Sequence, residues 1–167
     1  MTLNEINTVD GATFVATLGG IFEHSPWVAD GACAMRPFAG VDALHQAMLA
    51  VVHAAGEEQQ LALLRAHPEL AGKAAVRGEL TADSTSEQSG AGLGACTPAE
   101  FAQLQESNAR YNAKFGFPFI LAVKGYDRAG IIAEFARRVE QDRAAEFAEC
   151  LQQIAKITRF RLDALFG

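Results

Sequence analysis

Cysteine and positive charge are both scarce in this sequence. The three cysteines, Cys33, Cys96 and Cys150, lie far apart and form no CxxC motif, which argues against a disulfide framework or a zinc ribbon and fits a reducing compartment. Only 14 Lys and Arg stand against 20 Asp and Glu, for a net charge of -6. With no basic cluster to neutralise phosphates, we expect no nucleic-acid partner.

Long apolar runs and targeting signals are missing as well. Residues 43–56 lack formal charge but contain His45 and His53, and they are too few to span a bilayer, so no membrane association is predicted. The first residues have no signal-peptide pattern, and the default expectation is a cytoplasmic protein. The four histidines show no HExxH or i, i+4 pairing, so no metal site is predicted.

Runs of β-branched residues are rare, whereas alanine and leucine abound, and this composition predicts an all-α fold. We expect residues 1–167 to form a single-domain helical bundle of roughly seven to nine helices. Early helices are expected at 11–18, 26–35, 41–55 and 57–66. The glycine-rich stretch 90–94 follows no predicted strand, so it is interpreted as a helix segment or end and not as a nucleotide loop.

Two stretches carry helix-start signals. Thr97 to Glu100 is a capping box with Pro98 at the first helical position, and Ser84 to Glu87 has the same S-x-x-E form. Residues 73–83, between the predicted helices, are expected to form a mobile loop. After residue 116, the pair Phe117-Pro118 should break the helix, and the apolar run that follows should be buried.

Two arginine patterns near the C-terminus have different interpretations. Arg137, Arg138 and Arg143 alternate with acidic residues, which predicts a solvated helix face. Arg161 instead shares a helical row with apolar residues such as Ile154 and Leu165. Its side chain either snorkels to solvent near the helix end or orients a carboxylate or carbonyl of a ligand. Neighbouring Arg159 faces elsewhere and is expected at the surface.

His67 is the most informative single residue. Pro68 disfavours the α conformation in the residue before it, so a helix carrying Leu61 and Leu64 should end at or near His67. The imidazole is then either a surface group at a helix C-terminus or, because its ordinary pKa lies near neutrality, a proton-transfer group. Glu87 has two compatible roles as well, as the acid of a cap or as an acceptor for a polar ligand at a helix N-terminus.

Three segments in order carry a family resemblance: residues 67–72 (HPELAG), 84–93 (STSEQSGAGL) and 114–120 (KFGFPFI). Together they resemble the 2-oxo-4-hydroxy-4-carboxy-5-ureidoimidazoline (OHCU) decarboxylase family of urate degradation. The resemblance implies an all-α homodimer that converts OHCU to (S)-allantoin and carbon dioxide without a cofactor. It further implies His67 as the catalytic acid, Glu87 as its partner carboxylate and Arg161 as the substrate-orienting arginine. The implied substrate-contacting positions are Pro68, Ser84, Thr85, Ser86, Glu87, Gln88, Phe119, Ile120, Leu121, Ala122, Val123 and Arg161.

Two other function classes remain compatible with the residues alone. A non-catalytic helical binding or dimerisation module would fit the composition, and in it His67, Glu87 and Arg161 would affect only stability or partner binding. A hydrolase acting on a ureide ring would use similar polar groups but normally needs a metal.

Overall fold

The computed structural model describes all 167 residues, and every regular element in it is helical. Eight of the ten α-helices have seven or more residues, so the predicted all-α class is confirmed. None of the helices combines the length and the apolar content that crossing a lipid bilayer requires. The α-helices are α1 (Leu3–Ile6), α2 (Gly11–Leu18), α3 (Trp27–Cys33), α4 (Val41–Ala54), α5 (Glu57–Ala66), α6 (Lys73–Arg77), α7 (Ala82–Gly90), α8 (Pro98–Phe115), α9 (Arg128–Arg138) and α10 (Arg143–Phe166), with a 3-10 helix at Leu93–Ala95.

The chain divides into two compact units. The terminal unit comprises Met1–Ala66 and Ile154–Gly167, and the central unit comprises His67–Gln153. One boundary therefore coincides with the end of α5, and the other lies within α10. The expectation that residues 1–167 form one domain stays a prediction.

The terminal unit is built on α2, α3 and α4, which pack around fully buried apolar side chains. Polar side chains hold the connections between these helices. The Asn7 amide donates to the Phe38 carbonyl at 2.9 Å and accepts from the Phe38 N–H at 2.8 Å. Arg36 donates to the carbonyls of Cys33 and Val9. These hydrogen bonds give partners to half-buried polar groups and fix the paths of the loops.

The core of the central unit is aromatic. The ring of Tyr111 lies 4.6 Å from that of Phe115 and 5.4 Å from that of Phe119, and Phe119 stacks on Phe135 at 3.8 Å. Gly116 caps the C-terminus of α8, and its φ of 79° lies in the left-handed region that glycine tolerates. The non-helical run that follows is buried, as predicted.

The two predicted helix starts have different outcomes. At α8 the capping box is present: Thr97 Oγ1 accepts from the Glu100 N–H at 3.2 Å, and the Glu100 carboxylate accepts from the Thr97 N–H at 2.9 Å. The prediction of Ser84 as a cap is wrong. Thr81 caps α7, and its hydroxyl accepts from the Ser84 N–H at 3.3 Å, which places Ser84 inside the first turn. Thr81 is the N-cap because its backbone is extended, which is the usual conformation of an N-cap residue, and because it precedes Ser84 by three residues.

The predicted loop at residues 73–83 is also wrong in part. It contains α6, which is capped at its C-terminus by Gly78 with a φ of 69°, and the start of α7. The segment lacks apolar periodicity because α6 is one turn long and buries no side chain completely. The interpretation of residues 90–94 as a helix end is confirmed, since α7 ends at Gly90 and Gly92 adopts a φ of 77°.

The predicted solvated face at residues 137–143 holds for all but one arginine. Arg137 and Arg143 are exposed, but Arg138 is fully buried, so the prediction for Arg138 is wrong. The helical repeat explains the burial, because Arg138 follows Ile131 and Phe135 by seven and three residues and shares their inward face.

The outer limits of the early helices are close to prediction, with α3 shorter than residues 26–35.

Candidate active site

His67 lies immediately after the last residue of α5 and before Pro68, as the proline rule predicts. Its side chain is not on the surface, because only 7% of the residue is exposed. Burial removes the interpretation of His67 as a solvated histidine at a helix end. The residues that follow turn sharply, and Ala71 has a φ of 50°, which is uncommon for a residue with a side chain.

Amide side chains from α7 and α8 hold this turn. Gln88 Oε1 accepts from the Ala71 N–H at 2.9 Å, and Gln88 Nε2 donates to the Glu69 carbonyl at 3.3 Å. Asn108 Nδ2 donates to the Leu70 carbonyl at 2.9 Å. The backbone that carries His67 is thus fixed by two neighbouring helices, which offsets the strain of the left-handed residue.

Two further amides complete the arrangement. Gln105 Nε2 donates to the Ala71 carbonyl, and Asn112 Nδ2 donates to the Glu69 carboxylate at 2.5 Å. Gln88 therefore has an observed positioning role in addition to its predicted contact with substrate. The oxygen and the nitrogen of its side-chain amide each form one hydrogen bond to the turn, and each can form one more.

The predicted contacts on α7 lie on different faces of that helix. Ser84 and Gln88 are buried and Glu87 is half-buried, whereas Thr85 and Ser86 are exposed. The four-residue step between Ser84 and Gln88 places them on one face. A cavity of about 490 Å³ is lined in part by Ala71, Thr85 and Gln88, but His67 and Glu87 do not line it.

Residues Phe119–Val123 form a buried, non-helical segment. Two of its backbone groups are bound by side chains of the same unit. Arg138 Nη1 donates to the Ile120 carbonyl at 2.6 Å, and Gln153 Oε1 accepts from the Ala122 N–H at 3.0 Å. These side chains satisfy backbone groups that the neighbouring strand of a sheet would otherwise satisfy.

Arg161 belongs to the terminal unit, whereas every other predicted site residue belongs to the central unit. Its side chain is buried with Ile154 and Thr158, although the row ends at the exposed Leu165. Nη1 donates to the Glu23 carboxylate at 2.8 Å and to the Ile21 carbonyl at 3.3 Å. Both charges are almost completely buried, so the snorkelling interpretation of Arg161 is wrong.

Arg159 is the surface arginine of the pair, as predicted. It forms ion pairs with Asp42 and Asp163, and 38% of its side chain is exposed.

Cys150 is an unsuitable nucleophile, because burial raises the pKa of its thiol.

Comparison with known proteins identifies the family. The family model described as OHCU decarboxylase matches residues 7–163, which is nearly the whole chain. This chain belongs to the OHCU decarboxylase family.

The relatives of this chain differ in how much of their own length it spans. The chain is 40% identical to the 2-oxo-4-hydroxy-4-carboxy-5-ureidoimidazoline decarboxylase of Haloferax volcanii over 100% of its own length and 97% of that protein. It is 42% identical to a uric acid degradation bifunctional protein of Bacillus subtilis over 96% of its own length, but it spans only 32% of that protein. A crystal structure of (S)-allantoin synthase superposes with a TM-score of 0.79 at 29% identity, covering 100% of this chain and 54% of that chain.

Prediction from sequence missed three residues that shape this OHCU decarboxylase fold around the predicted site: Glu23, Asn108 and Arg138. Glu23 had an indirect signal, because a buried Arg161 requires a carboxylate partner somewhere in the chain. Asn108 sits on the row of Leu104 and Tyr111, where a polar side chain is unusual. For Arg138 the helical repeat with Phe135 was the available signal.

Proposed function

We propose that this chain decarboxylates OHCU to (S)-allantoin and carbon dioxide in urate degradation. The observation that carries the proposal is the family match over residues 7–163. Curated relatives that correspond to this chain over nearly their full length bear the name of this decarboxylase. The buried His67 on a rigid turn supplies a group suited to the required proton transfer.

The chemistry of OHCU explains why such a site suffices. The bond between the carboxylate and its carbon breaks, and its electron pair forms a C=C bond between that carbon and the ureido-bearing carbon. The π electrons of the C=N bond move to the nitrogen, which takes up a proton. The enol that remains loses its hydroxyl proton and gains a proton on the ureido-bearing carbon, so one proton is consumed overall. Because the substrate is its own electron sink, catalysis reduces to orientation, charge stabilisation and directed proton transfer.

We assign the proton transfers to His67, with Glu87 as its partner carboxylate and Arg161 as the group that orients the ureido and ring carbonyls. Protonation of the carbon from one side would produce a single enantiomer. The burial of His67 and the bonds that fix residues 69–71 support this role, because a proton donor must stay at one face of the substrate. Residues of α7 and Phe119–Val123 would contact the rest of the substrate.

The experiment is to add the protein to freshly generated OHCU and to follow optical activity. We expect (S)-allantoin to appear faster than racemic allantoin appears in the blank, and equal rates without optical activity would refute the proposal. His67→Ala should lose at least about a hundredfold in kcat, the usual contribution of a general acid. His53→Ala is the matched control, since His53 is an exposed histidine, and it should keep full activity.

We further propose that the protein acts as a homodimer in the cytoplasm, as its family resemblance and its scattered cysteines imply. Size-exclusion chromatography with light scattering would measure the mass directly. A particle of 17.8 kDa would contradict the dimer.

A further inference from the structure

Arg138 lies at the centre of a buried polar cluster in the central unit. It is fully buried, and its Nε donates to Glu146 Oε1 at 2.8 Å. The hydroxyl of Tyr111 donates to the same carboxylate oxygen at 2.5 Å. The guanidinium also lies 4.4 Å above the ring of Phe119 while its Nη1 donates to the Ile120 carbonyl. Nearly every face of this side chain is thus engaged.

Stability alone is a weak explanation for such a cluster. A buried ion pair gains little over well-packed apolar side chains of the same volume, because desolvating both charges offsets their attraction. What an apolar side chain cannot supply is a fixed donor for the Ile120 carbonyl. The cluster is therefore better explained by the position that it imposes on the backbone of residues 119–123.

Peptide geometry shows which backbone groups this position controls. In a planar trans peptide the N–H points opposite to the C=O. Because the Ile120 carbonyl points at Arg138, the N–H of Leu121 points away from Arg138. Because the Ala122 N–H points at Gln153, the Leu121 carbonyl points away from Gln153. Arg138 and Gln153 thus direct both polar groups of Leu121.

Leu121 is only 4% exposed, and neither its N–H nor its carbonyl has a hydrogen-bond partner in the chain. Buried backbone groups without partners are rare in folded proteins and call for a ligand or an ordered water. One donor and one acceptor on the same residue are complementary to a cyclic amide or a ureide, which carries a carbonyl beside an N–H. These are the groups that OHCU presents.

We propose that Arg138 and Gln153 are positioning residues that fix the Leu121 N–H and carbonyl for the ureide of the substrate. Glu146 and Tyr111 orient Arg138 in turn. The inference rests on the proposed function, because it assigns the substrate of that reaction to these backbone groups. It adds four side chains that lie behind the site and need not touch the substrate.

Two substitutions test the proposal. Gln153→Met keeps the length of the side chain but removes the acceptor for the Ala122 N–H, and Arg138→Lys keeps the charge beside Glu146 but loses the planar fork. Each should raise KM for OHCU about fivefold, the effect of one lost neutral hydrogen bond, and leave kcat within about twofold. Leu104→Ala is the control, since it removes a fully buried α8 side chain that makes none of these bonds.

The decisive comparison is between the two positioning variants and the control at a temperature where all are folded. If KM stays at the wild-type value, or if Leu104→Ala raises it equally, the proposal is overturned. Amide hydrogen exchange separates this failure from a failure of the proposed function. Even if the wild type does not turn over OHCU, exchange of the Ala122 N–H should be about tenfold faster in Gln153→Met than in Leu104→Ala. Equal exchange would overturn the positioning role by itself.

Discussion

Replacing Glu23 by glutamine should destabilise the protein far more than a similar substitution on its surface. The substitution keeps the shape of the side chain but removes the carboxylate that lies 2.8 Å from the Arg161 guanidinium. Both partners have side chains that are at most 4% exposed, so water cannot replace the lost interaction. A buried guanidinium without its carboxylate carries most of its desolvation penalty uncompensated.

The size of the effect follows from measured cases of this kind. Breaking a buried ion pair by removing one partner costs about 3–5 kcal/mol. For a chain of this length each kcal/mol lowers Tm by about 2–4 °C, so Glu23→Gln should lower Tm by about 6–20 °C. The matched control is Asp163→Asn, which breaks the exposed ion pair with Arg159 on the same helix. Exposed pairs contribute about 0–1 kcal/mol, so the control should shift Tm by no more than about 4 °C.

Urea unfolding followed by circular dichroism measures both free energies under the same conditions. The two variants should differ by at least about 2 kcal/mol. If Glu23→Gln were as stable as Asp163→Asn, the ion pair would not be holding Arg161, and its orientation would need another explanation. We also expect Glu23→Gln to raise KM, because a looser guanidinium would weaken the proposed orientation of the substrate by Arg161.

Three further predictions concern stability, each measured by urea unfolding. Burial lowers the pKa of His45, and the charge of Arg159 lowers it further, so the unfolded chain takes up the proton first. The free energy of unfolding should therefore be unaffected by His45 above about pH 6.5 and should decrease as the pH falls below that value. His45→Gln should make the free energy of unfolding less dependent on pH in this range, and an unchanged pH profile would contradict the prediction. Thr97→Ala removes the cap of α8 and should cost about 1 kcal/mol, whereas no loss would mean that the cap is not formed in solution. Asn108→Leu leaves the buried Leu70 carbonyl without its donor and should cost about 1–3 kcal/mol; a stable variant would show that water replaces the amide.

The features that sequence predicted correctly depend on neighbours in the chain. The end of α5 before Pro68 and the capping box at Thr97 are set by contacts within three or four residues, and the structure has both. Ser84 failed for a local reason of a different kind, because Thr81 offers the same hydroxyl in a backbone conformation better suited to a cap. A four-residue S-x-x-E motif does not show which of two nearby hydroxyl residues caps the helix.

The features that sequence missed depend on residues far apart in the chain. Glu23 and Arg161 are separated by 138 positions, and the sequence around neither residue indicates that the two side chains pair. The local charge pattern predicts a solvated face for Arg138, because the burial of one arginine among exposed ones depends on the aromatic core that forms around it. Asn108 bonds to a carbonyl 38 positions away. The resemblance supplied the candidate catalytic residues, but it did not supply the side chains that hold them.

The division of the chain has a consequence for how the protein is made. The central unit is continuous in sequence, so all of its residues exist once residue 153 has been synthesised. The terminal unit begins first but is completed last, because Thr158 and Arg161, the partners of His45 and Glu23, lie in residues 154–167. At translation rates of about 5–20 residues per second, those residues take about 1–3 s to add. Until Arg161 has been added, Glu23 lacks the arginine with which it pairs in the folded protein, so the terminal unit can form this buried ion pair only after the central unit has been synthesised in full.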